Sequence, residues 1–281
     1  MKKLLFPLIV LLGSQAPAAE VFEANLGRES ELHGGKEADG IRGDFVLRSD
    51  KVEAVISANL PNRKANMSTF YGADGISPGC LYDLSLRGAA NDQLVIYGPC
   101  GHGPVSYVKT VATKQADEAA VESVITAASN GGVFERHEYR VKDGVQGVFI
   151  TTILRNETDK PQKAATKDDF NRFDSTGTTA DGIRWADAIN PAHKCGYAYG
   201  TLSLTGVDKL ADTLELAPKQ EVVIQRFFAV GTSPAQAVGL VMAAKGGAMG
   251  QVAGQLKDEA GKGLSGGANT NSPPPSWAAT A

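Results

Sequence analysis

The sequence predicts a mainly β protein, a large antiparallel β-sandwich with one short helix near the C-terminus. Stretches in which apolar and polar residues alternate recur along most of the chain, and this period of two is typical of half-buried strands. The 281 residues include 32 glycines and 13 prolines, a content that favours turns over long helices. One segment, 235–244, has a helix-forming composition; it follows Thr232-Ser233-Pro234 and ends before Gly246-Gly247.

The first strands are predicted after a polar, glycine-containing segment at 20–40. Two strands, at 44–48 and 51–57, are joined by Ser49-Asp50, which indicates a hairpin. A long polar loop is expected at 59–78 because it contains Pro-Asn and Asp-Gly turn signals. The next strands are predicted at 81–86, 93–97, 105–114 and 119–127.

The clearest hairpin signal lies in the middle of the chain. Strands at 133–141 and 145–154 flank Lys142-Asp143-Gly144, and Asp-Gly favours the positive φ values of a tight reversal. The charged, threonine-rich stretch at 156–183 predicts a second long loop. Further strands are predicted at 200–204, 213–216 and 221–230.

The segment 1–19 has the three regions of a signal peptide. Lys2 and Lys3 precede an apolar run at 4–12, and small residues then favour cleavage after Ala18 or Ala19. A retained anchor is the alternative, but a membrane-crossing helix needs about 20 apolar residues. We therefore expect a periplasmic or secreted protein that has no membrane association after cleavage.

The charge balance excludes one class of partner. The formal net charge is −3 and the isoelectric point is about 5.9, so the chain lacks the basic field that nucleic-acid binding requires. A carbohydrate or a cell-surface partner is the expected kind of ligand instead.

Three cysteines allow one disulfide and one free thiol. Cys80 and Cys100 are the closer pair and both lie beside turn residues, so an oxidising compartment favours a bond between them. The alternative is that these two and Cys195 are all reduced, buried side chains.

Two segments carry a family resemblance. Residues 43–52, Gly-Asp-Phe-Val-Leu-Arg-Ser-Asp-Lys-Val, resemble the opening of exported bacterial proteins that begin with a supersandwich domain, similar to the galactose mutarotase-like fold. Residues 225–231, followed by a short helix, resemble the end of that domain. The resemblance implies a supersandwich-like β-sandwich over 41–248, preceded by an N-terminal segment at 20–40.

Residues 252–264 resemble the first hairpin of a carboxypeptidase regulatory-like domain, which a PHP-type metallohydrolase often follows in such proteins. We therefore expect 249–268 to be the truncated start of that domain, and the proline-rich 269–281 to be a disordered tail. The chain departs from the pattern because none of its four histidines forms a His-x-His pair and no hydrolase region follows. The hydrolase metal site is not carried over, and no metal or cofactor is expected.

The densest set of functional side chains lies at 135–140. On a strand, Glu135, His137 and Tyr139 share one face, where a carboxylate, an imidazole and a phenol could bind a sugar or transfer protons. The even-numbered residues, two arginines and a glutamate, share the other face and are typical of a solvated, ion-paired surface. Glu135, His137 and Tyr139 are therefore weak catalytic candidates, and a purely structural strand is the alternative.

Four residues are expected to bind a ligand: Trp185, Tyr197, Tyr199 and His102. The aromatic rings could stack on sugars, although burial in the core is their commoner role. The single His193 and Cys195 lack the paired spacing of zinc ligands, and the acidic clusters at 91–92 and 168–174 lack EF-hand spacing.

The expected function is that of an exported, non-catalytic β-sandwich module that binds a carbohydrate or a partner, or supports another domain. A sugar-active supersandwich enzyme, either an epimerase or a polysaccharide lyase, is the alternative. The enzyme requires a concave sheet face with convergent polar groups that include His137, whereas the module predicts an apolar or covered face.

Overall fold

The computed structural model describes residues 19–32, 34–35, 37–61, 78–101, 105–171, 176–187 and 194–247. Strands are the main regular element, and one α-helix, α1 (Pro234–Ala244), follows the last of them. Short 3-10 helices lie at Glu29–Glu31 and Ala127–Ser129. The strands are β1 (Glu20–Glu23), β2 (Phe45–Arg48), β3 (Val52–Ile56), β4 (Leu81–Leu86), β5 (Ile96–Gly98), β6 (Tyr107–Val111), β7 (Glu118–Ile125), β8 (Val133–Lys142), β9 (Gly147–Asn156), β10 (Gln162–Ala165), β11 (Asp169–Asn171), β12 (Thr176–Thr178), β13 (Arg184–Asp187), β14 (Gly196–Thr205), β15 (Thr213–Leu216) and β16 (Glu221–Gly231).

The strands form two large sheets and a two-stranded ribbon. The six-stranded sheet has the order β1-β2-β3-β4-β5-β11, and the eight-stranded sheet has the order β12-β13-β14-β16-β9-β8-β7-β6. The ribbon pairs β10 with β15, and the pairs of strands in all three are antiparallel. The predicted mainly β class, with antiparallel sheets and one helix near the C-terminus, is confirmed.

The two large sheets pack face to face across one hydrophobic core. Leu47 and Leu84 of the six-stranded sheet meet Val141, Ile150 and Val230 of the eight-stranded sheet in a single buried cluster. Each side chain of this size contributes about 1.5–3 kcal/mol when it is fully buried. The alternating pattern of β8 and β9 follows, because every second residue of each strand faces this core.

Two tyrosine hydroxyls join the sheets inside this core. The hydroxyl of Tyr197 on β14 donates to the Leu84 carbonyl at 2.8 Å and accepts from the Gln93 amide at 2.9 Å. The hydroxyl of Tyr139 on β8 donates to the Gly79 carbonyl at 2.8 Å. Both rings are fully buried, so these bonds satisfy hydroxyls that would otherwise be costly to bury.

Helix α1 covers the opposite face of the eight-stranded sheet. Its Ser233 cap accepts a hydrogen bond from the Gln236 amide at 3.3 Å, and Pro234 opens the first turn. Val241 packs with Phe227 of β16 in a separate buried cluster. The chain approaches β14 so closely that a Cβ at Gly196 would lie 2.2 Å from the Pro234 nitrogen, which requires glycine there.

Several predicted boundaries differ from the structure: the strands predicted at 93–97, 105–114 and 200–204 are β5, β6 and β14, and two predicted segments differ more. The stretch at 156–183, expected as a loop, contains β10, β11 and β12. These strands have only three or four residues, too few for a period of two to be visible. In addition, β10 and β11 pair with strands distant in sequence, whereas β12 pairs with the adjacent β13. The segment at 20–40, expected outside the sandwich, supplies β1, which pairs with β2 and begins the six-stranded sheet.

Several predictions fall on residues outside those described. They include most of the signal peptide, His102, His193, Asp174, the regulatory-like hairpin at 249–268 and the tail at 269–281. Among the described residues, no helix is both long enough and apolar enough to cross a bilayer.

Candidate functional site

Strand β8 presents Glu135, His137 and Tyr139 to the inner face of the eight-stranded sheet. His137 and Tyr139 are buried, and the side chain of Glu135 is 13% exposed. Tyr139 is occupied by its bond to the Gly79 carbonyl, and burial raises the pKa of its hydroxyl well above the usual range. Of the three weak catalytic candidates, the structure therefore brings Glu135 and His137 into direct contact and gives Tyr139 a structural role.

Both ring nitrogens of His137 have partners. Its Nε2 lies 2.7 Å from Oε1 of Glu135, and its Nδ1 lies 2.9 Å from Oγ1 of Thr152 on β9. Thr152 faces His137 directly in the β8–β9 pairing, so the contact follows from the register of the hairpin. The imidazole is held between these two groups and has no further ring nitrogen to offer a ligand.

The network continues from Thr152 to a buried ion pair. Arg226 on β16 is 1% exposed, and its Nη1 donates to Oγ1 of Thr152 at 2.8 Å. Its Nε lies 2.8 Å from Oδ2 of Asp168. Asp168 also accepts hydrogen bonds from the Tyr97 hydroxyl at 3.1 Å and from the Cys100 amide at 2.9 Å. Burial, and secondarily the charge of Asp168, raises the pKa of Tyr97, so its hydroxyl remains a donor.

A cavity of about 150 Å³ opens beside this network. Glu135, His137, Ser123 and Lys163 supply its polar groups, and the thiols of Cys80 and Cys100 also border it. Cys100 has a φ of +60°, an uncommon conformation for a residue other than glycine. Such backbone strain is found preferentially at binding sites, where the surrounding contacts maintain it. At Cys100, the backbone amide donates a hydrogen bond to Asp168, and Nη2 of Arg226 lies 3.8 Å from the thiol sulfur.

The predicted disulfide between Cys80 and Cys100 is not formed in the structure. Both are buried, reduced side chains, as is Cys195, which agrees with the alternative of reduced cysteines. Burial raises the pKa of Cys100 to about 12 and that of Cys195 to about 12, so neither is a thiolate near neutral pH.

The other face of β8 carries charged pairs near the solvent. Glu138 lies 2.6 Å from Arg140 and 3.8 Å from Arg136, and Glu122 of β7 lies 3.6 Å from Arg136. The arginine side chains are about 30% exposed. This is the ion-paired strand face that the sequence offered as its structural alternative.

The predicted aromatic ligand-binding residues that the structure describes lie in two environments, with Tyr197 and Tyr199 in the core between the sheets and Trp185 outside it. Tyr197 is fully buried between the sheets, and Trp185 packs under α1 on the opposite face of the eight-stranded sheet. Tyr199 is 5% exposed and its ring stacks parallel to Phe228 with centroids 5.6 Å apart. The three rings do not form a common platform, and none lines the cavity at Glu135.

Three residues of the hydrogen-bond network around His137 were not identified as site residues from the sequence: Thr152, Asp168 and Arg226. Asp168 was noted only within an acidic loop cluster, and Arg226 only within a strand motif. One signal in the sequence was usable, because Arg226 interrupts the apolar alternation of β16 on the inward-facing positions. In the described part of the chain, no group of three or more His, Cys, Asp or Glu side chains is arranged to hold a metal ion.

A scan against protein-family models and a search of curated proteins found no match. Among solved structures, a TPR-domain containing protein from Parabacteroides distasonis is 11% identical with a TM-score of 0.44, covering 77% of this chain. A protein from Klebsiella pneumoniae, provisionally described as an aldose 1-epimerase, is 11% identical with a TM-score of 0.43. That match covers 81% of this chain and 95% of the Klebsiella protein. The chain spans 56% of the Parabacteroides protein, and likenesses this distant say nothing of its activity.

Proposed function

We propose that the chain is an exported β-sandwich module that binds a small polyhydroxylated ligand, such as one sugar residue, in the cavity beside Glu135. The observation that carries this proposal is the occupation of both His137 nitrogens by Thr152 and Glu135. The imidazole then acts as a fixed support, and Glu135 is the group that it orients toward a ligand.

The same observation favours binding over catalysis. A general acid or base transfers a proton through one of its own atoms, and that atom must be free to contact the substrate. An imidazole held at 2.7 Å and 2.9 Å on its two sides cannot do so without losing a partner. A carboxylate accepts hydrogen bonds at two oxygens, so Glu135 can contact His137 and still accept from a ligand hydroxyl.

The size of the cavity limits the ligand. Drug-sized ligands occupy sites of about 300–1,000 Å³, whereas a cavity near 150 Å³ suits a single six-membered ring such as benzene. The cavity measured here is about 150 Å³. A single sugar ring, or the end of a longer saccharide, is the ligand that fits both its volume and its polar lining.

Titration of the mature chain with neutral monosaccharides tests binding, with amide NMR shifts as the readout. Glu135→Gln should weaken binding at least 10-fold. The substitution replaces one carboxylate oxygen, a hydrogen-bond acceptor, with an amide NH₂ group, while the side chain keeps its shape. Glu138→Gln is the matched control, since Glu138 lies on the same strand and its side chain is also 13% exposed, but it points to the opposite face, where it pairs with Arg140. If no neutral sugar moves resonances around the cavity, or if both variants bind equally well, the proposed site is wrong.

A sugar-active enzyme is the second candidate, supported by the 2.7 Å contact between two titratable groups, Glu135 and His137. Polarimetry for mutarotation or epimerisation, and ultraviolet absorbance for lyase products, would detect such turnover. We expect none. Turnover that falls 100-fold or more in His137→Ala, a loss typical of removing a general acid or base, would establish the enzyme instead.

The proposal of export includes a specific cleavage position. The backbone nitrogen of Ala19 lies 3.2 Å from Oδ2 of Asp143, in the turn between β8 and β9. Cleavage after Ala18 would convert that nitrogen into an ammonium group facing a carboxylate, which favours Ala19 over Glu20 as the first mature residue. Mass spectrometry of exported protein should find Ala19, and an N-terminus at Met1 or Glu20 would contradict this assignment.

A further inference from the structure

A second cavity, of about 240 Å³, lies on the other side of the Asp168 network. Its lining includes Lys167, Asp168, Arg184, Tyr199 and Thr201. Asp168 connects the two cavities, because it lines the second one and accepts the amide of Cys100, which borders the first. None of the residues expected to carry catalysis lies in this second cavity, and only Tyr199 of the expected ligand-binding residues does.

Arg184 is the distinctive group of this cavity. It is half-buried on β13, and its Nη1 donates to the Tyr199 hydroxyl at 2.9 Å. Its guanidinium lies 5.6 Å from the Tyr199 ring centroid and 5.8 Å from that of Phe170. Because Tyr199 is itself fixed by stacking on Phe228, the arginine is held in place by rigid aromatic neighbours.

The charges around Arg184 leave its own charge uncompensated. In the described part of the chain, Arg184 forms no ion pair with a carboxylate. Asp168 lines the cavity, but its charge is matched by the buried Arg226. Asp212 is 80% exposed and lies 3.9 Å from Lys167, which is also largely exposed. Among the described residues, the half-buried charge of Arg184 therefore has a hydroxyl partner, Tyr199, but no carboxylate to compensate it.

We propose that this second cavity binds the carboxylate group of a small monoanionic ligand through Arg184. A planar guanidinium presents paired N–H donors that match a carboxylate, and one of its remaining edges is available after the bond to Tyr199. The inference goes beyond the proposed function, since it concerns a different cavity and a different ligand chemistry.

The lining favours a carboxylate over a doubly charged sulfate or phosphate. The cavity has one unmatched positive charge, and the carboxylates of Asp168 and Asp212 also border it. A monoanion neutralises Arg184, whereas a dianion would bring an extra negative charge close to two acidic side chains.

The test uses D-glucuronate and D-glucose, which share a ring and differ in one carboxylate, with inorganic sulfate as the dianion. NMR titration of the mature chain should show glucuronate shifting resonances at Arg184, Tyr199 and Thr201. Glucose should not shift these resonances, and sulfate should bind at least 10-fold more weakly than glucuronate. Equal effects of glucuronate and glucose at Arg184, or equal affinity for sulfate, would overturn the proposal.

Two substitutions complete the test. Arg184→Gln should lose at least 10-fold in glucuronate affinity. Arg184→Lys, which keeps the positive charge but lacks the paired N–H donors of the guanidinium, should lose less. Arg155→Gln is the control, because Arg155 pairs with Glu157 and Glu221 away from the cavity. Unchanged affinity in Arg184→Gln, with the thermal midpoint of each variant confirming folding, would reject the site. Binding of neutral sugars at Glu135 is measured separately, so the two proposals fail independently.

Discussion

The two faces of β8 carry charged side chains that contribute to the protein in different ways. On the outer face, Glu138 bridges Arg136 and Arg140, which are about 30% exposed and remain partly hydrated. On the inner face, Glu135 and His137 begin a buried series of contacts that ends at the Arg226–Asp168 ion pair. The carboxylates of the two faces are equally buried, but the arginines of the outer face remain in contact with water, whereas Arg226 of the inner face does not.

This difference shows that the amount of charge on a strand is a poor guide to its importance. Exposed ion pairs contribute about 0–1 kcal/mol because water screens them and the side chains lose entropy. Removal of one partner from a buried pair costs about 3–5 kcal/mol because the other charge is left without compensation. The inner network should therefore dominate both stability and the shape of the cavity.

The largest effect is expected at the buried pair. Asp168→Ala should lower the free energy of unfolding by about 3–5 kcal/mol, because it leaves Arg226 charged and unpaired. Asp212→Ala is the control, since Asp212 is 80% exposed and should change stability by less than about 1 kcal/mol. Urea unfolding of both variants measures this, and equal losses would remove the distinction between the buried and exposed carboxylates.

An intermediate effect is expected where buried carboxylates lack a cation. Asp83 and Asp92 are fully buried, and in the described residues neither forms an ion pair. Burial raises the pKa of Asp83 to about 8, and burial with the charge of Asp83 raises the pKa of Asp92. The native state therefore holds protons that the unfolded chain releases near pH 4. The stabilisation is fully present below that value and is lost as the pH rises through about 8.

Asp92→Asn isolates this effect. Oδ1 of Asp92 accepts the Leu84 amide at 2.7 Å, which asparagine can also do, whereas Oδ2 has no hydrogen-bond partner. The wild type should lose stability between pH 5 and pH 9, and the variant, which has no proton to release at this position, should lose less. The urea concentrations at the unfolding midpoints of wild type and variant, determined at pH 5 and at pH 9, measure this difference in stability. A variant with the same pH dependence as the wild type would show that another group titrates.

The smallest effect is expected on the outer face of β8. Glu138→Gln should lower the free energy of unfolding by about 1 kcal/mol, because the partner arginines are partly hydrated although Glu138 itself is only 13% exposed, and added salt should shrink the difference. Thermal unfolding at low and high ionic strength measures it. A loss of several kcal/mol that persists in high salt would mean that this face is as critical as the inner one.

Local patterns in the sequence were sufficient to predict most of the long strands, although β14 (Gly196–Thr205) was predicted only at 200–204. Alternation located β8 and β9, Asp143-Gly144 located their turn, and Ser233-Pro234 located the start of α1. The division of 135–140 into two faces follows from the period of two, which is a property of the backbone. The short strands β10 to β12 gave no such pattern because three or four residues are too few to show it, and β10 and β11 also pair with distant segments.

The sequence by itself determined the fold class, the helix and which residues of β8 share a face, because these depend on neighbours a few positions apart. It did not determine that Thr152, Asp168 and Arg226 converge on His137, since they lie on separate elements that only sheet pairing and packing bring together. The tertiary structure also places Cys80 and Cys100 as thiols beside a cavity, and in the part of the chain that it describes it gives Arg184 no carboxylate partner. Charge compensation and burial depend on distances in space, and sequence separation does not specify these distances.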